Sequence, residues 1–257
     1  MLGSTLAFAC MQICVKFLPH LPAHELILFR SLVSIVLSVA ILKKLGIQLL
    51  GNNKKVLLMR GVFGTTALLM FFYTLQNIPL ASAVTLQYLS PIFTALFAAI
   101  FLKEKMQMKQ WLYFGVSFAG VALIKGFDER ISLTFMLLGI CSAMFSGMAY
   151  TCIRRLKDSE HPLVVVLYFP LVAIPIMSVL SYYKWVTPQG TDWLYLLLMG
   201  LFTQVAQLLM TKGIQSGIAN KMISLKYIGT IYALAIGYLI FGESYGLMSL
   251  IGIAMVI

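Results

Sequence analysis

Apolar residues run along this chain in stretches of about twenty, separated by short clusters of charged and turn-forming residues. Stretches of that length suit helices that cross a hydrocarbon core of about 30 Å. The breaks predict ten such helices, over residues 2–18, 25–42, 56–76, 80–102, 109–125, 133–153, 162–183, 192–212, 219–241 and 245–257. Their connections are short, as expected for helices packed beside their neighbours in sequence. The expected class is an all-α polytopic membrane protein.

A weak internal repeat sharpens this picture. At a fixed offset of 139, residues 61–118 recur as 200–257: Gly61, Phe63, Gln76, Leu86, Tyr88, Ile92 and Glu104 meet Gly200, Phe202, Gln215, Leu225, Tyr227, Ile231 and Glu243. The offset sets the third predicted helix on the eighth and the fourth on the ninth, a shift of five. A duplication spanning an odd number of helices inserts its halves with opposite orientation, the usual plan of a secondary transporter whose substrate site lies where the halves meet. The expected halves are 1–126 and 127–257, each with five helices.

Loop charges set the orientation. The connections after helices 2, 4, 6 and 8 carry twelve cations (Lys43, Lys44, Lys54, Lys55, Arg60, Lys103, Lys105, Lys109, Arg154, Arg155, Lys157 and Lys212), and the alternate set carries four (Lys16, Lys125, Arg130 and Lys184). The positive-inside rule places both termini in the cytoplasm. Trp111, Trp185 and Trp193 fall at helix ends and read as interfacial belt residues.

Small residues mark the inward faces. Ser90, Thr94 and Ala98 have Gly229, Ala233 and Gly237 as counterparts, and helix 6 adds Gly139, Ala143 and Gly147. Spacing at four residues lets helix backbones approach closely, which matters in lipid, where apolar burial gives no net attraction. Pro91, Pro170 and Pro175 are expected to kink their helices and free backbone carbonyls.

Composition agrees and removes alternatives. With 61% hydrophobic residues, 11% charged residues and a mean hydropathy of +0.95, the chain is no ordinary soluble domain. In so hydrophobic a chain the net charge of +11 reflects cytoplasmic loops and not nucleic-acid binding. Cys10, Cys14, Cys141 and Cys152 lie in or near apolar segments without zinc spacing and read as small buried hydrophobes. Met1 leads directly into an apolar segment with no signal-peptide n-region, and the chain stops at Ile257 inside an apolar run, so flexible ends are expected beyond it.

The segment from Pro79 to Leu96, with Pro91 and then Phe101-Leu-Lys-Glu104-Lys, resembles the EamA-type drug/metabolite transporter superfamily. Leu26-Ile-Leu-Phe-Arg30 and the weaker second copy ending at Phe241-Gly-Glu243 extend the resemblance over essentially the whole chain. It implies ten helices in two inverted five-helix repeats, a central cavity commonly lined by helices 1, 3, 4, 6, 8 and 9, and export or exchange of small metabolites. The second copy departs from the pattern at Ile218 and Gly229-Thr230, and has Lys226 where the first has Gln87, so the halves are not equivalent.

Lys226 is the first candidate for substrate binding, since a lysine inside a span costs about 2.5–3.5 kcal/mol and marks a cavity, a partner or a pathway. The bland alternative is snorkelling to the interface, which explains Lys221 better. Arg30 either binds substrate or braces the bundle. No acidic residue lies near the centre of a span, because Glu25, Glu104 and Glu243 sit at helix ends, where packing or capping explains them. A cavity with cations and no fixed anion favours an anionic or zwitterionic substrate. Gln12, Gln87, Tyr88, Ser90, Tyr150, Gln204, Gln207, Ser224 and Tyr227 complete the candidate lining, with Thr85, Ser142 and Ser146 beside them. Any of these polar groups can equally serve as an interhelical hydrogen bond worth about 0.6 kcal/mol.

The expected function is secondary transport of an amino acid, organic acid or nucleotide-like metabolite across a bacterial inner membrane, by alternating access. The alternatives are an exporter of amphipathic drugs or cationic compounds, or a channel-like facilitator. No enzyme signature is present: HExxH and GxSxG are absent, and His20, His24 and His161 lie at helix ends. No cofactor, metal or nucleic acid is expected. The partners are a small-molecule substrate and the bilayer, with the protein a monomer or weak homodimer. Without a buried proton relay, facilitated diffusion or exchange is favoured over strong proton antiport.

Overall fold

The computed structural model describes residues 2–103, 108–216 and 228–256. These form α1 (Leu2–Lys16), α2 (Ala23–Lys44), α3 (Lys54–Asn77), α4 (Leu80–Gln87), α5 (Ser90–Leu102), α6 (Met108–Phe127), α7 (Leu133–Arg155), α8 (Pro162–Tyr183), α9 (Asp192–Gln215), α10 (Ile228–Phe241) and α11 (Leu247–Val256). The described residues contain helices and connections and no strand. Six segments are long and apolar enough to cross a membrane, α4 and α5 together making one of them. The ten-helix count depends in part on residues 219–227, outside the described residues.

Local sequence sets the helix ends. Asn53 accepts the Val56 N–H at the start of α3, Ser132 the Phe135 N–H at the start of α7, and His161 the Leu163 N–H at the start of α8. Each cap satisfies one of the donors that a first turn leaves unpaired. Pro162 follows at the first turn of α8, where its missing N–H costs nothing.

The prolines inside the spans behave differently. At Pro91 the fourth predicted helix breaks: α4 stops at Gln87, Tyr88 and Leu89 form a turn, and α5 restarts at Ser90 with Pro91 in its first turn. Proline cannot donate to the carbonyl four residues back, so the chain reforms around it. By contrast α8 runs unbroken through Pro170 and Pro175.

The bundle is assembled from long pairings. α3 lies along α7 and α1 along α9; α2 packs on α8 and α9; α8 also packs on α3; α6 pairs with α11; α5 follows α7; and α10 meets α4 and α1. The ridge of helix 6 lies against that of helix 4, for a Cβ added at Gly147 would stand 2.9 Å from the Phe93 carbonyl carbon and 3.0 Å from the Thr94 nitrogen. Gly147→Val is therefore expected to force α5 off α7 and to cost about 1–3 kcal/mol, the usual range for overpacking. Thermal unfolding in detergent checks this, with Gly126→Ala, where a Cβ meets nothing within 4 Å, as the control.

Two acids fasten the α2–α8 pair. Glu25, at the start of α2, accepts the Val186 N–H just beyond α8 at 2.7 Å. Glu160, just before α8, accepts the Asn52 and Asn53 N–H groups beyond α2, both at 2.6 Å. Buried apolar side chains form two clusters. One gathers Leu18, Leu21, Leu26, Phe72 and Leu80 at the end where α1 finishes. The other gathers Leu42, Leu57, Ile153, Leu156 and Val165 at the opposite end. A cavity lies between them.

Candidate functional site

The cavity holds about 850 Å³ of atom-free space out to its mouth. Its walls come from α1, α3, the α4–α5 break, α7, α8 and α9. Of the helices that the sequence resemblance implied, the first, third, fourth, sixth (α7) and eighth (α9) are in the wall; the ninth (α10) contributes none of its described residues, and Phe169 of α8 is an addition.

The helix break places its own side chains in the wall. Gln87, Tyr88 and Ser90 all line the cavity. Gln87 is held from both ends of its amide: Nε2 donates to Ser146 Oγ at 2.6 Å, and Oε1 lies 2.9 Å from the Ser142 hydroxyl. That hydroxyl is also 2.7 Å from the Ala67 carbonyl, so its single proton serves one acceptor at a time. Tyr88 reaches across to α10, where its hydroxyl occupies the space that a Cβ on Gly229 would need.

Of the other sequence candidates, Gln12, Tyr150 and Gln207 line the cavity, and so does Ser146. Gln204 does not: it joins α9 to α2, bonding Ser38 at 2.8 Å and Ser34. Arg30 is 1% exposed and lies outside the lining, its guanidinium 4.8 Å from the Phe169 ring centroid and 5.8 Å from that of Phe72. Lys221, Ser224, Lys226 and Tyr227, together with Glu104, lie outside the described residues.

The residue missed from sequence is Arg60. Its charge groups it with the loop cations, although it falls inside the third predicted helix, 56–76; the structure buries it in α3, 2% exposed, in the cavity wall. Nη2 donates to Gln207 Oε1 at 3.3 Å, while Nε and Nη1 have no partner among the described residues. The guanidinium stands 5.8 Å from the same Phe169 ring that Arg30 covers. Gly64, four residues on, leaves room for it, since a Cβ there would fall on Arg60 Nη1. A signal was present: Gly64 and Ala67 follow Arg60 at i+4 and i+7, a small-residue face like the ridges elsewhere.

The wall is otherwise neutral, and no Asp or Glu is among its described residues. A buried guanidinium with free N–H groups, next to glutamine, serine and tyrosine, is suited to hold a carboxylate or phosphate. The described residues contain no group of three or more His, Cys, Asp or Glu that could hold a metal ion.

Comparisons with known proteins agree with this architecture. The profile of the EamA-like transporter family matches residues 1–126 and 133–257. The pseudopaline exporter CntI of Pseudomonas aeruginosa is 29% identical over 239 residues, covering 92% of this chain and 84% of the exporter. Human solute carrier family 35 member G1 is 28% identical over 250 residues, covering 90% and 68%. A riboflavin transporter of Vibrio cholerae is 26% identical over 215 residues, covering 80% and 72%. One solved crystal structure shares the fold with a TM-score of 0.75 at 18% identity, covering 99% of this chain and 93% of the other.

Proposed function

The chain belongs to the EamA-like transporter family, and from that premise we propose that it is a secondary carrier of small anionic or zwitterionic metabolites, working by alternating access through the cavity described above. The observation that carries the substrate class is Arg60, a buried guanidinium with unpaired N–H groups in a wall without carboxylates. Amino acids, organic acids and nucleotide-like compounds fit it; a lone organic cation does not. Efflux is the direction we assign, in line with the exporter among its relatives.

The carrier has ten spans in two inverted halves, with both termini on the cytoplasmic side of a bacterial inner membrane. Moving Arg60 from loop to span leaves the loop asymmetry with the same sign. Helix pairing supports the inversion. A shift of five spans exchanges α3–α7 with α9–α1, and α2–α9 with α8–α3, and it returns α2–α8 and α6–α11 to themselves. Equivalent residues also do equivalent work: Gln76 donates to the carbonyls of Leu18 and Leu21 in the α1–α2 turn, and Gln215 to those of Leu156 and Glu160 in the α7–α8 turn. The same offset brings Arg30 onto Phe169, the ring it stacks on.

Thermal-shift screening of the purified protein against a metabolite panel tests the substrate class. Carboxylates or phosphates are expected among the stabilising compounds; if monovalent organic cations stabilise best, and do so equally in Arg60→Gln, the reading is wrong. Transport of a hit in liposomes tests the coupling. Preloaded substrate is expected to accelerate uptake from the other side with no pH gradient imposed, because no carboxylate is available among the described wall residues to relay protons. Flux that requires a pH gradient, with no acceleration by preloaded substrate, overturns the exchange mechanism.

A further inference from the structure

One helical turn beyond the cavity, at the end where α1 finishes, side chains from both halves of the chain converge on Glu243. The cavity wall ends at Gln12 on α1 and at Val84 on α4. Four residues farther, about 6 Å at 1.5 Å per residue, stand Lys16 and Leu80. Lys16 Nζ donates to Glu243 Oε1 at 3.0 Å and to the Ile78 carbonyl at 2.9 Å. The Leu80 N–H, at the start of α4, points at both carboxylate oxygens, at 3.0 and 2.8 Å. Tyr245 donates its hydroxyl to Glu243 Oε2 and accepts the Ala81 N–H at 3.2 Å.

A second layer supports the first. Arg130 lies 5.7 Å from the Tyr245 ring centroid, donates to the Ser244 carbonyl at 2.6 Å, and is gripped by Asp128 at 2.8 and 2.9 Å. The Lys16 and Glu243 side chains are only 15% and 11% exposed, so water screens their attraction far less than it would at an open surface.

Every bond to the Glu243 carboxylate from Lys16 and Leu80 joins the first half of the chain to the second. If the halves rock about the cavity, these bonds cannot survive opening at this end. At the other end the cavity wall continues to Ser4, Arg60 and Tyr150. Lys16 and Glu243 take no part in that wall.

We infer that Glu243 is the gating carboxylate of the carrier: with Lys16 and the first turn of α4 it forms a latch, closed in this structure, that must break before the cavity opens at the α1 C-terminal end. This inference rests on the carrier reading but not on the identity of the substrate. The latch is a positioning device; the transported molecule need not touch it.

Site-directed thiol labelling tests it without any substrate. In a background with Cys10, Cys14, Cys141 and Cys152 replaced, Ala67→Cys puts one thiol in the cavity wall. Its rate of reaction with a membrane-impermeant reagent is measured in right-side-out and in inverted vesicles. The thiol is expected to react mainly from the side where α1 begins. Glu243→Gln and Lys16→Met are each expected to raise labelling from the opposite side at least tenfold. Glu243→Gln keeps an oxygen to accept the Leu80 N–H, so it separates loss of the ion pair from loss of the α4 contact. Unchanged labelling in both single variants, with melting temperatures like the parent's, overturns the inference. Because labelling reads accessibility alone, that outcome leaves the substrate reading intact, just as a failed metabolite screen leaves the latch intact.

Discussion

Arg60→Met is expected to weaken ligand binding about 10- to 150-fold while making the empty protein more stable. The two effects have one cause. The guanidinium is buried in the cavity wall with Nε and Nη1 unpaired among the described residues. Held in that state it costs energy, on the order of 2.5–3.5 kcal/mol on insertion scales. A methionine of similar length removes that cost and leaves one glutamine oxygen, on Gln207, without its donor. A net gain of about 1 kcal/mol would raise the melting temperature by about 2–4 °C in a chain of this length.

A bound carboxylate or phosphate reverses the balance, because the free N–H groups then have an ionised acceptor. Hydrogen bonds to charged groups contribute about 1.5–3 kcal/mol, which corresponds to a loss of about 10- to 150-fold in affinity when the arginine is removed. Arg60→Lys should recover part of this, as it restores charge without the planar fork. Calorimetric titration with a compound from the metabolite screen measures the affinity, and scanning calorimetry of the ligand-free variants measures stability. A variant that loses stability and retains affinity would make Arg60 a structural brace.

The second large effect belongs to Gly229. A Cβ at this position would coincide with the Tyr88 hydroxyl and stand 3.1 Å from Tyr88 Cζ. Gly229→Ala must therefore push Tyr88 aside, and Tyr88 lies at the helix break with Gln87 and Ser90 on either side of it in the wall. Overpacking of this kind costs about 1–3 kcal/mol, and because the displaced ring is part of the wall, transport is expected to fall. Tyr88→Phe removes the colliding oxygen and leaves a tight but tolerable contact. The double variant Tyr88→Phe/Gly229→Ala should then transport better than Gly229→Ala alone, a sign reversal that a double-mutant cycle detects. If the two defects simply add, Tyr88 and Gly229 do not meet in the working protein.

Span positions were legible in the sequence because hydrophobic length is a one-dimensional property. The helix ends of α3, α7, α8 and α9 fall within a few residues of those expected. A distortion at Pro91 was legible as a kink, since a missing donor is a covalent fact, but the same loss at Pro170 and Pro175 leaves α8 unbroken, so the break itself was not legible. Faces were harder. Gln204 and Gln207 are three residues apart on α9, about 60° around the axis, yet one is tied to α2 and the other lines the cavity. Which face meets which neighbour is decided by packing between distant segments. Arg60 was lost for a related reason: with Lys54 and Lys55 just before it, the sequence reads as one loop cluster. Only the tertiary contact with Phe169 and Gln207 separates it from them. Arg30 posed a choice between bracing and binding; it lies outside the cavity lining, over Phe169, with Nε and Nη1 unpaired among the described residues.

The pairing of α2 with α8, tied at one end through Glu25 and at the other through Glu160, has an electrical consequence. On the rocking scheme proposed above, a pair fastened at both ends is a fulcrum: it turns without travelling. The two buried guanidiniums stand 4.8 and 5.8 Å from a single ring on that fulcrum, so on that scheme they hardly move along the membrane normal. An elementary charge crossing the full potential exchanges about 2.3 kcal/mol per 100 mV; a charge that stays in place exchanges almost none. The empty carrier would then return at a rate nearly independent of voltage, and any current that accompanies turnover would count the charge on the cargo.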